Sequence, residues 1–442
     1  MNWDSDLIAA EATPAGRGGI SVVRVSGAGV HKAVGGLFDR EMPAAGRHRF
    51  GRLRRAPDAD DFIDEVVLIC YGAPHSYTGE DMVELSLHGS PVVVAEALDA
   101  LYAAGARAAR PGEFTLRAFL NGKMDLTQAE AVADLIASGS REAAWQARRQ
   151  LAGGIGRAVN RASDYIVQAL AACELELDFV EDDVEVLRTE QKVELIYEAR
   201  RTLQVMLEGY QHSRRLREGL RVVITGAPNV GKSSLFNALL GEERAIVHRT
   251  PGTTRDIIQA TCNISGVAVE LFDTAGIRES ADEIEDEGVR RALQTAETAD
   301  LKLLVAAADQ SLPDDIYHSP DESVLRVVNK IDINRPEEMA GIIGVSAVTG
   351  EGVERLKEAI YQAATSGETA TGSSISRERH YQAVSRADAA LERADKALEA
   401  GQSSEVVAEE LREALAALDE LTGKRRLEGL LDEIFANFCI GK

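Results

Sequence analysis

The eight residues Gly226-Ala227-Pro228-Asn229-Val230-Gly231-Lys232-Ser233 narrow the possible folds of this 442-residue chain more than any other segment. They match the pattern G-x-x-x-x-G-K-[ST], with apolar Val222-Val223-Ile224 before them and a helical pattern after. A strand, a glycine loop and a helix in that order let backbone N–H groups wrap a polyphosphate, while the helix N-terminus adds positive potential. The setting implies a compact α/β domain with a largely parallel sheet, assigned to residues 220–364. Lys232 would neutralise the β and γ phosphates and Ser233 would ligate Mg²⁺. Gly226, Asn229, Val230, Gly231 and Ser234 complete the expected phosphate contacts.

Two further loops specify the nucleotide as GTP. Asp273-Thr274-Ala275-Gly276 follows apolar Leu271-Phe272, so Asp273 stands at a strand end where it supports Mg²⁺ through water, and Gly276 offers its N–H to the γ-phosphate. Asn329-Lys330-Ile331-Asp332 follows the apolar run Val324–Val328. Asp332 is suited to accept from guanine N1–H and the exocyclic amine, a donor pair that adenine lacks. The Lys330 stem would cover the purine, Asn329 would brace the loop, and Ser346-Ala347 would place a backbone donor near the guanine carbonyl. Between the phosphate loop and Asp273, Thr254 is the first choice for a switch threonine on Mg²⁺, with Thr253 second. Ile277 stands where a familiar class of GTPases places a water-orienting glutamine. Hydrolysis therefore needs another group, either an acidic residue between Glu279 and Glu287 or one from a second subunit.

The flanks read differently, and the whole chain is expected to be multidomain, α/β together with α+β. Residues 1–120 alternate short strands, such as 20–25 and 66–70, with a helix near 92–103. Residues 121–219 and 365–442 are helical. Thr127 and Glu130 have capping-box spacing, and Gly153, Gly154 and Gly156 weaken the middle of the first helical stretch. The economical organisation is one helical domain interrupted by the nucleotide domain; two separate helical domains are the alternative. A net charge of −23 argues against wholesale coating of nucleic acid or an anionic membrane. Arg148, Arg149, Arg157, Arg161, Arg214, Arg215 and Arg217 either keep helices solvated or contact RNA locally. The acidic run 181–185 reads as a solvated surface. Four distant cysteines without metal-ligand spacing, no secretory signal and no apolar span fit a cytoplasmic setting.

Beyond the nucleotide motifs, the chain carries Gly16-Arg17-Gly18-Gly19-Ile20, Ser76-Tyr77-Thr78-Gly79-Glu80-Asp81, Arg110-Pro111-Gly112-Glu113-Phe114-Thr115, Asn121-Gly122-Lys123 and Phe438-Cys439-Ile440-Gly441-Lys442. In this combination it resembles the MnmE/TrmE family of tRNA-modifying GTPases over nearly its whole length. The resemblance implies an N-terminal domain that forms a homodimer and binds formyl-tetrahydrofolate, with Arg24, Glu80, Arg110 and Lys123 as candidate contacts competing with ordinary salt-bridge roles. It implies K⁺-stimulated GTP hydrolysis, the cation being held by Asn229 and by the loop containing His248, Thr250 and Thr253. It places the catalytic glutamate at Glu285, with Arg278 helping to position that segment. It also implies a flavoprotein partner, MnmG/GidA, which carries FAD. Together the pair would add an aminomethyl or carboxymethylaminomethyl group at C5 of the tRNA wobble uridine. Cys439 falls near the modification centre by the same resemblance, either as a nucleophile or in a structural or partner contact. Three residues depart from the family pattern: Ser90 for a second glycine, His248 for a frequent threonine, and Ala227 for an occasional arginine. A ribosome-assembly GTPase and a GTP-responsive scaffold are the rival functions.

Overall fold

The computed structural model describes residues 6–178, 187–241, 246–248, 258–273, 299–311, 316, 323–335, 341–365, 374–425, 428–436 and 438–441. The chain divides into two compact units. One comprises Met1–Ala133, Leu151–Asn160 and Arg412–Lys442, the other Asp134–Gln150 and Arg161–Leu411.

In the first unit, alternation of apolar and polar residues produces a six-stranded sheet. Its strands are β1 (Ile8–Glu11), β2 (Ile20–Ser26), β3 (His48–Arg54), β4 (Phe62–Tyr71), β5 (Met82–His88) and β6 (Arg107–Ala108), in the order β3-β4-β5-β2-β1-β6. Val66, Leu68 and Cys70 of β4 are buried at period two while Glu65 and Val67 face out, as a sheet with one covered face requires. The covering helices, Val30–Leu37 and Pro91–Ala103, contribute Val30, Val34, Val94, Ala97 and Leu101 to that core. A second cluster joins Leu116, Phe119, Leu126 and Ala129 to Leu431, Phe435 and Phe438 near the end of the chain.

A buried ionic network sits beside these cores. Arg117 is 5% exposed, and its guanidinium donates to Asp6 at 2.7 Å, Glu113 at 3.0 Å and Glu80 at 3.2 Å. Arg107 donates to both Asp6 and Glu113. Burial alone would raise the Glu113 carboxyl. Hydrogen bonds from Arg107, the Arg110 N–H and Arg117 instead hold it below the ordinary range.

Helix starts differ from the sequence expectation in one place. The helix Leu126–Ala137 is capped by Asp125, which accepts from the Gln128 N–H at 2.9 Å while Gln128 Oε1 accepts from the Asp125 N–H at 2.9 Å. Thr127 and Glu130, the expected pair, are inside the helix and buried. The glycine cluster also acts more sharply than a weakened helix. Gly153, at φ 80°, separates the helix Arg141–Leu151 from Gly154–Asp178.

The second unit is organised on a seven-stranded sheet of β7 (Leu220–Gly226), β8 (Ile246–His248), β9 (Ile258–Ile264), β10 (Val267–Asp273), β11 (Leu301–Ala307), β12 (Val324–Asn329) and β13 (Ile343–Gly344). The order is β13-β12-β11-β7-β10-β9-β8, and β7 through β13 on one side and β10 on the other run parallel. Val222, Val223 and Ile224 are all fully buried, which is why β7 is a continuous apolar run rather than an alternating one. Helices Lys232–Leu240 and Val353–Thr365 contribute Leu235, Leu239, Leu356 and Ile360 to its core.

Helical segments from before and after this sheet meet directly. Arg200 on the helix Thr189–Glu208 pairs with Asp388 on Glu378–Glu399 at 3.1 Å. Tyr210 stacks on Tyr381 with ring centroids 4.5 Å apart. Gln150 donates to Ser376 at 3.1 Å, and Arg377 pairs with Asp134 at 2.7 Å.

Candidate functional site

The carboxyl ends of the parallel strands carry the nucleotide residues, the usual ligand edge of an open α/β sheet. The loop from Gly226 to the helix at Lys232 needs its glycines. Gly226 has φ 142° and Gly231 φ 90°. A Cβ on Gly226 would run into the Val305 carbonyl oxygen, and one on Gly231 into the Asn329 amide. Asn229 also adopts the left-handed region, at φ 60°. Lys232 is 8% exposed, and its ammonium donates to the carbonyls of Gly226 at 3.0 Å and Ala227 at 2.8 Å. The charge is thereby stored inside the loop that a polyphosphate would enter.

Asn329 ties three loops together. Its Nδ2 donates to the Val230 carbonyl at 3.0 Å, and its Oδ1 accepts from the Ala347 N–H at 3.1 Å. It is 2% exposed, so these bonds are made out of water, where losing one is expensive. Lys330, at φ 65°, follows it, with Nζ 2.9 Å from Asp309. That pairing holds the lysine stem beside the loop, and no motif around Asp309 signals its part in it. Asp332 is exposed in the adjoining turn, and Ser346 is fully buried.

The residues expected to hold Mg²⁺ have chemistry that fits a hard cation. Ser233 is exposed in the first turn of its helix, and Asp273 is 1% exposed at the end of β10, paired in register with Ile224 of β7. Among the described residues no cluster of three or more His, Cys, Asp or Glu forms a metal cage. A cation here would depend on nucleotide oxygens for the rest of its shell. Thr250, Thr253, Thr254, Gly276, Arg278 and Glu285 lie outside the described residues, as does the acidic run 181–185. Of His248 only the backbone, paired with Gln259, is described.

The first unit gathers a different set. Arg24 binds Glu84 through Nε at 2.9 Å and Nη2 at 2.8 Å, and lies 4.9 Å from the centroid of the Tyr77 ring. Its Nη1 also reaches the Gly441 carbonyl at 3.4 Å. The Cys439 carbonyl accepts from the Gly112 N–H at 3.4 Å, so the Phe438–Gly441 segment lies against the Arg110–Thr115 motif with the Cys439 residue exposed. Gly441, at φ 91°, sits so near the Glu11 carbonyl that a Cβ would clash.

The remaining folate candidates have internal partners. Glu80 accepts from Ser26 at 2.8 Å and from Arg117, Lys123 donates to the Pro74 carbonyl at 2.9 Å, and the Arg110 N–H donates to Glu113 at 2.9 Å. Arg24 reaches the Cys439 segment through the Gly441 carbonyl. Ser90, the departure beside this region, has φ −113°, ordinary for any residue.

His88, the last residue of β5, bonds through Nδ1 to Asp64 at 2.7 Å. That hydrogen bond, with the Asp64 charge, raises the imidazole above its usual value. Because the folded value is the higher one, the contribution to stability is full below the unfolded value of about 6.5 and disappears as pH rises through the folded value. In an NMR titration His88 should deprotonate at higher pH than a free histidine, and Asp64→Asn should remove the difference. An unshifted wild-type midpoint would contradict the pairing.

Comparison with known proteins accounts for nearly all of the chain. Residues 7–123 match the family described as GTP-binding protein TrmE N-terminus, and residues 126–439 match the MnmE helical domain. The chain is 42% identical to the tRNA modification GTPase MnmE of Koribacter versatilis, covering 100% of both chains. It is 41% identical to the protein of that name from Geotalea uraniireducens, covering 99% of each. With the Aquifex aeolicus protein of that name it shares 42% identity over 98% of this chain and 99% of the other. Among the described residues no helix is long and apolar enough to cross a membrane.

Proposed function

Since the chain belongs to the MnmE family of tRNA-modification GTPases, we propose that it uses GTP hydrolysis to drive modification of the tRNA wobble uridine at C5. The observation that carries this reading is the Asn329 side chain, bonded at once to the phosphate loop and to the Ala347 N–H. One buried amide then couples recognition of the base to the grip on the phosphates. Asp332 reads the guanine edge, Lys330 covers the ring, and Ser346-Ala347 faces the guanine carbonyl. The backbone from Asn229 to Ser234 and the Lys232 ammonium hold the phosphates.

Mg²⁺ on Ser233 and Thr254, with Asp273 acting through water, would neutralise charge on the phosphates. K⁺ on Asn229, His248, Thr250 and Thr253 would supply the positive charge that an arginine supplies elsewhere. Gly276 is assigned to the γ-phosphate, Glu285 to orientation of the attacking water, and Arg278 to positioning of that segment. Formyl-tetrahydrofolate is assigned to the first unit, with Arg24 beside Tyr77 as the best-placed contact. Glu80, Arg110 and Lys123 support the surrounding loops. Cys439 is assigned to the modification centre.

The protein would work in the cytoplasm as a homodimer, with tRNA and an FAD-carrying MnmG/GidA partner. Mass spectrometry of tRNA nucleosides after depletion should show the C5-modified uridine falling and returning on complementation. Normal nucleosides in depleted cells would overturn the reading. Glu285→Ala should lower GTP turnover about 100-fold, the loss expected for a water-orienting base, while GTP affinity stays near wild type. Unchanged turnover would remove Glu285 from the mechanism.

A further inference from the structure

We propose that the exposed face of the helix Arg141–Leu151, with the cleft at its N-terminal end, holds the phosphate backbone of tRNA. The proposal rests on the tRNA reading above and assigns it a place.

The helix is sharply two-sided. Ala143, Gln146, Ala147 and Gln150 are buried. Arg141, Trp145 and Arg148 follow one another at helical spacing on the opposite face, and all three are exposed. Trp145 leaves 46% of its surface in water, and the Arg149 guanidinium lies 4.4 Å from the centroid of its ring. A large indole half in solvent and stacked by a cation is a platform on which a base can lie. Among the described residues, the Arg141 and Arg148 side chains have no acidic partner. The helix carries three arginines against Glu142 alone, a local excess of two positive charges on a chain whose net charge is −23. Long-range attraction to an anion is thus weak, and binding depends on short-range contacts at this face.

The cleft gives the arginines a concave setting. It encloses about 750 Å³. Ser138, Ser140, Arg141 and Arg148 line one side, and Asn263 near the end of β9 and Ser265 in the turn to β10 line the other. The turn is pinned there because Asn263 Nδ2 donates to the Gly139 carbonyl at 3.0 Å while its Oδ1 accepts from the Gly266 N–H at 2.8 Å. The Arg141 and Arg148 guanidiniums, together with the Ser140 hydroxyl, whose oxygen accepts from the Ala143 N–H, line one space and suit phosphate oxygens. Glu142 is the opposing group. Its carboxylate lies against Gly266, where an added Cβ would be 2.7 Å from Oε2. It disfavours an anion at the floor and confines phosphate to the arginine side.

The test is a fluorescence-anisotropy titration of tRNA against the full-length protein across a KCl series. Arg141→Gln with Arg148→Gln should weaken binding about 10-fold near 0.1 M salt and make the salt dependence of log K shallower by about 1.5, two lost phosphate contacts. Trp145→Ala should weaken binding about 5-fold or more with little change in slope, since stacking releases no counterions. Glu142→Gln should bind more tightly than wild type. All four substitutions lie in the helix and introduce good helix formers, and tRNA-free GTP turnover of the three variants should stay at the wild-type rate.

Wild-type affinity and slope in the double arginine variant would overturn the proposal. So would lost modification with intact tRNA binding, which would assign the face to an acidic protein partner. If wild-type protein hydrolyses GTP but binds no tRNA even at low salt, the tRNA reading itself falls with it.

Discussion

Lys232→Ala should reduce GTP turnover by about 100- to 1000-fold, the scale on which one charge-stabilising donor matters in a phosphoryl-transfer site. The ammonium is 8% exposed and held by two carbonyls of its own loop. Phosphate oxygens can replace those carbonyls as acceptors without the lysine crossing water, so little reorganisation accompanies capture. Alanine removes the charge and leaves both carbonyls without that donor. A fluorescent GTP analogue should therefore bind much more weakly, and phosphate release should fall with it. Lys232→Arg should rescue poorly, because a rigid planar fork of donors does not reproduce a compact ammonium bonded to the Gly226 and Ala227 carbonyls. Retention of more than a tenth of wild-type turnover by the alanine variant would exclude this lysine from the reaction.

Arg117→Ala should destabilise the first unit by about 3–5 kcal/mol, the range for removing one partner of a buried ion pair. Among the described residues Glu113, 1% exposed, then keeps only Arg107 as a charged partner, and Glu80 loses Arg117. The pH dependence follows from the depressed Glu113 carboxyl. Its contribution is present above the unfolded value of about 4.5 and is lost as pH falls through the folded value. Wild type should therefore lose stability on acidification, and Arg117→Ala should lose less, having already lost the pairing. Adding Glu113→Gln to Arg117→Ala should recover part of the deficit, since it removes the uncompensated charge. Urea midpoints at pH 7 and pH 4 for the single and double variants measure all of this. Equal midpoints for wild type and Arg117→Ala at pH 7 would show that the network is inert.

The second sheet was legible because its motifs encode backbone geometry. Glycines at 226 and 231 stand where φ is positive and a Cβ would collide, so the pattern and the conformation are one constraint. Asn329 was legible as a brace for the same reason: a short amide after an apolar strand has only the neighbouring loops to bond.

The cap at Asp125 was missed because D-x-x-Q and the overlapping T-x-x-E fit one template. Only the burial of Thr127 and Glu130 inside the packed helix separates them. The Arg117 network was invisible for another reason. Its partners Asp6 and Glu80 are 111 and 37 residues away, beyond the reach of any periodicity. The same blindness left Glu80 open between a ligand contact and an ordinary salt bridge, since a carboxylate in a distinctive motif shows no partner until the chain is folded. Asp309, which holds Lys330, gave no local signal either.

The segment ending at Gly441 has a consequence for biosynthesis. Arg24 and the Gly441 carbonyl that it reaches are 417 residues apart, so this contact in the first unit forms only after the whole second sheet has been synthesised. Until then β1 and β2 lack that contact, and Phe435 and Phe438 are not yet available to cover Leu116 and Phe119. Chains truncated before residue 428 should emerge with Leu116, Phe119 and Leu126 uncovered on their helices, an apolar surface that chaperones and proteases recognise. Cys439, whose carbonyl accepts from the Gly112 N–H, thus takes its place only after both sheets and the helices between them have been made.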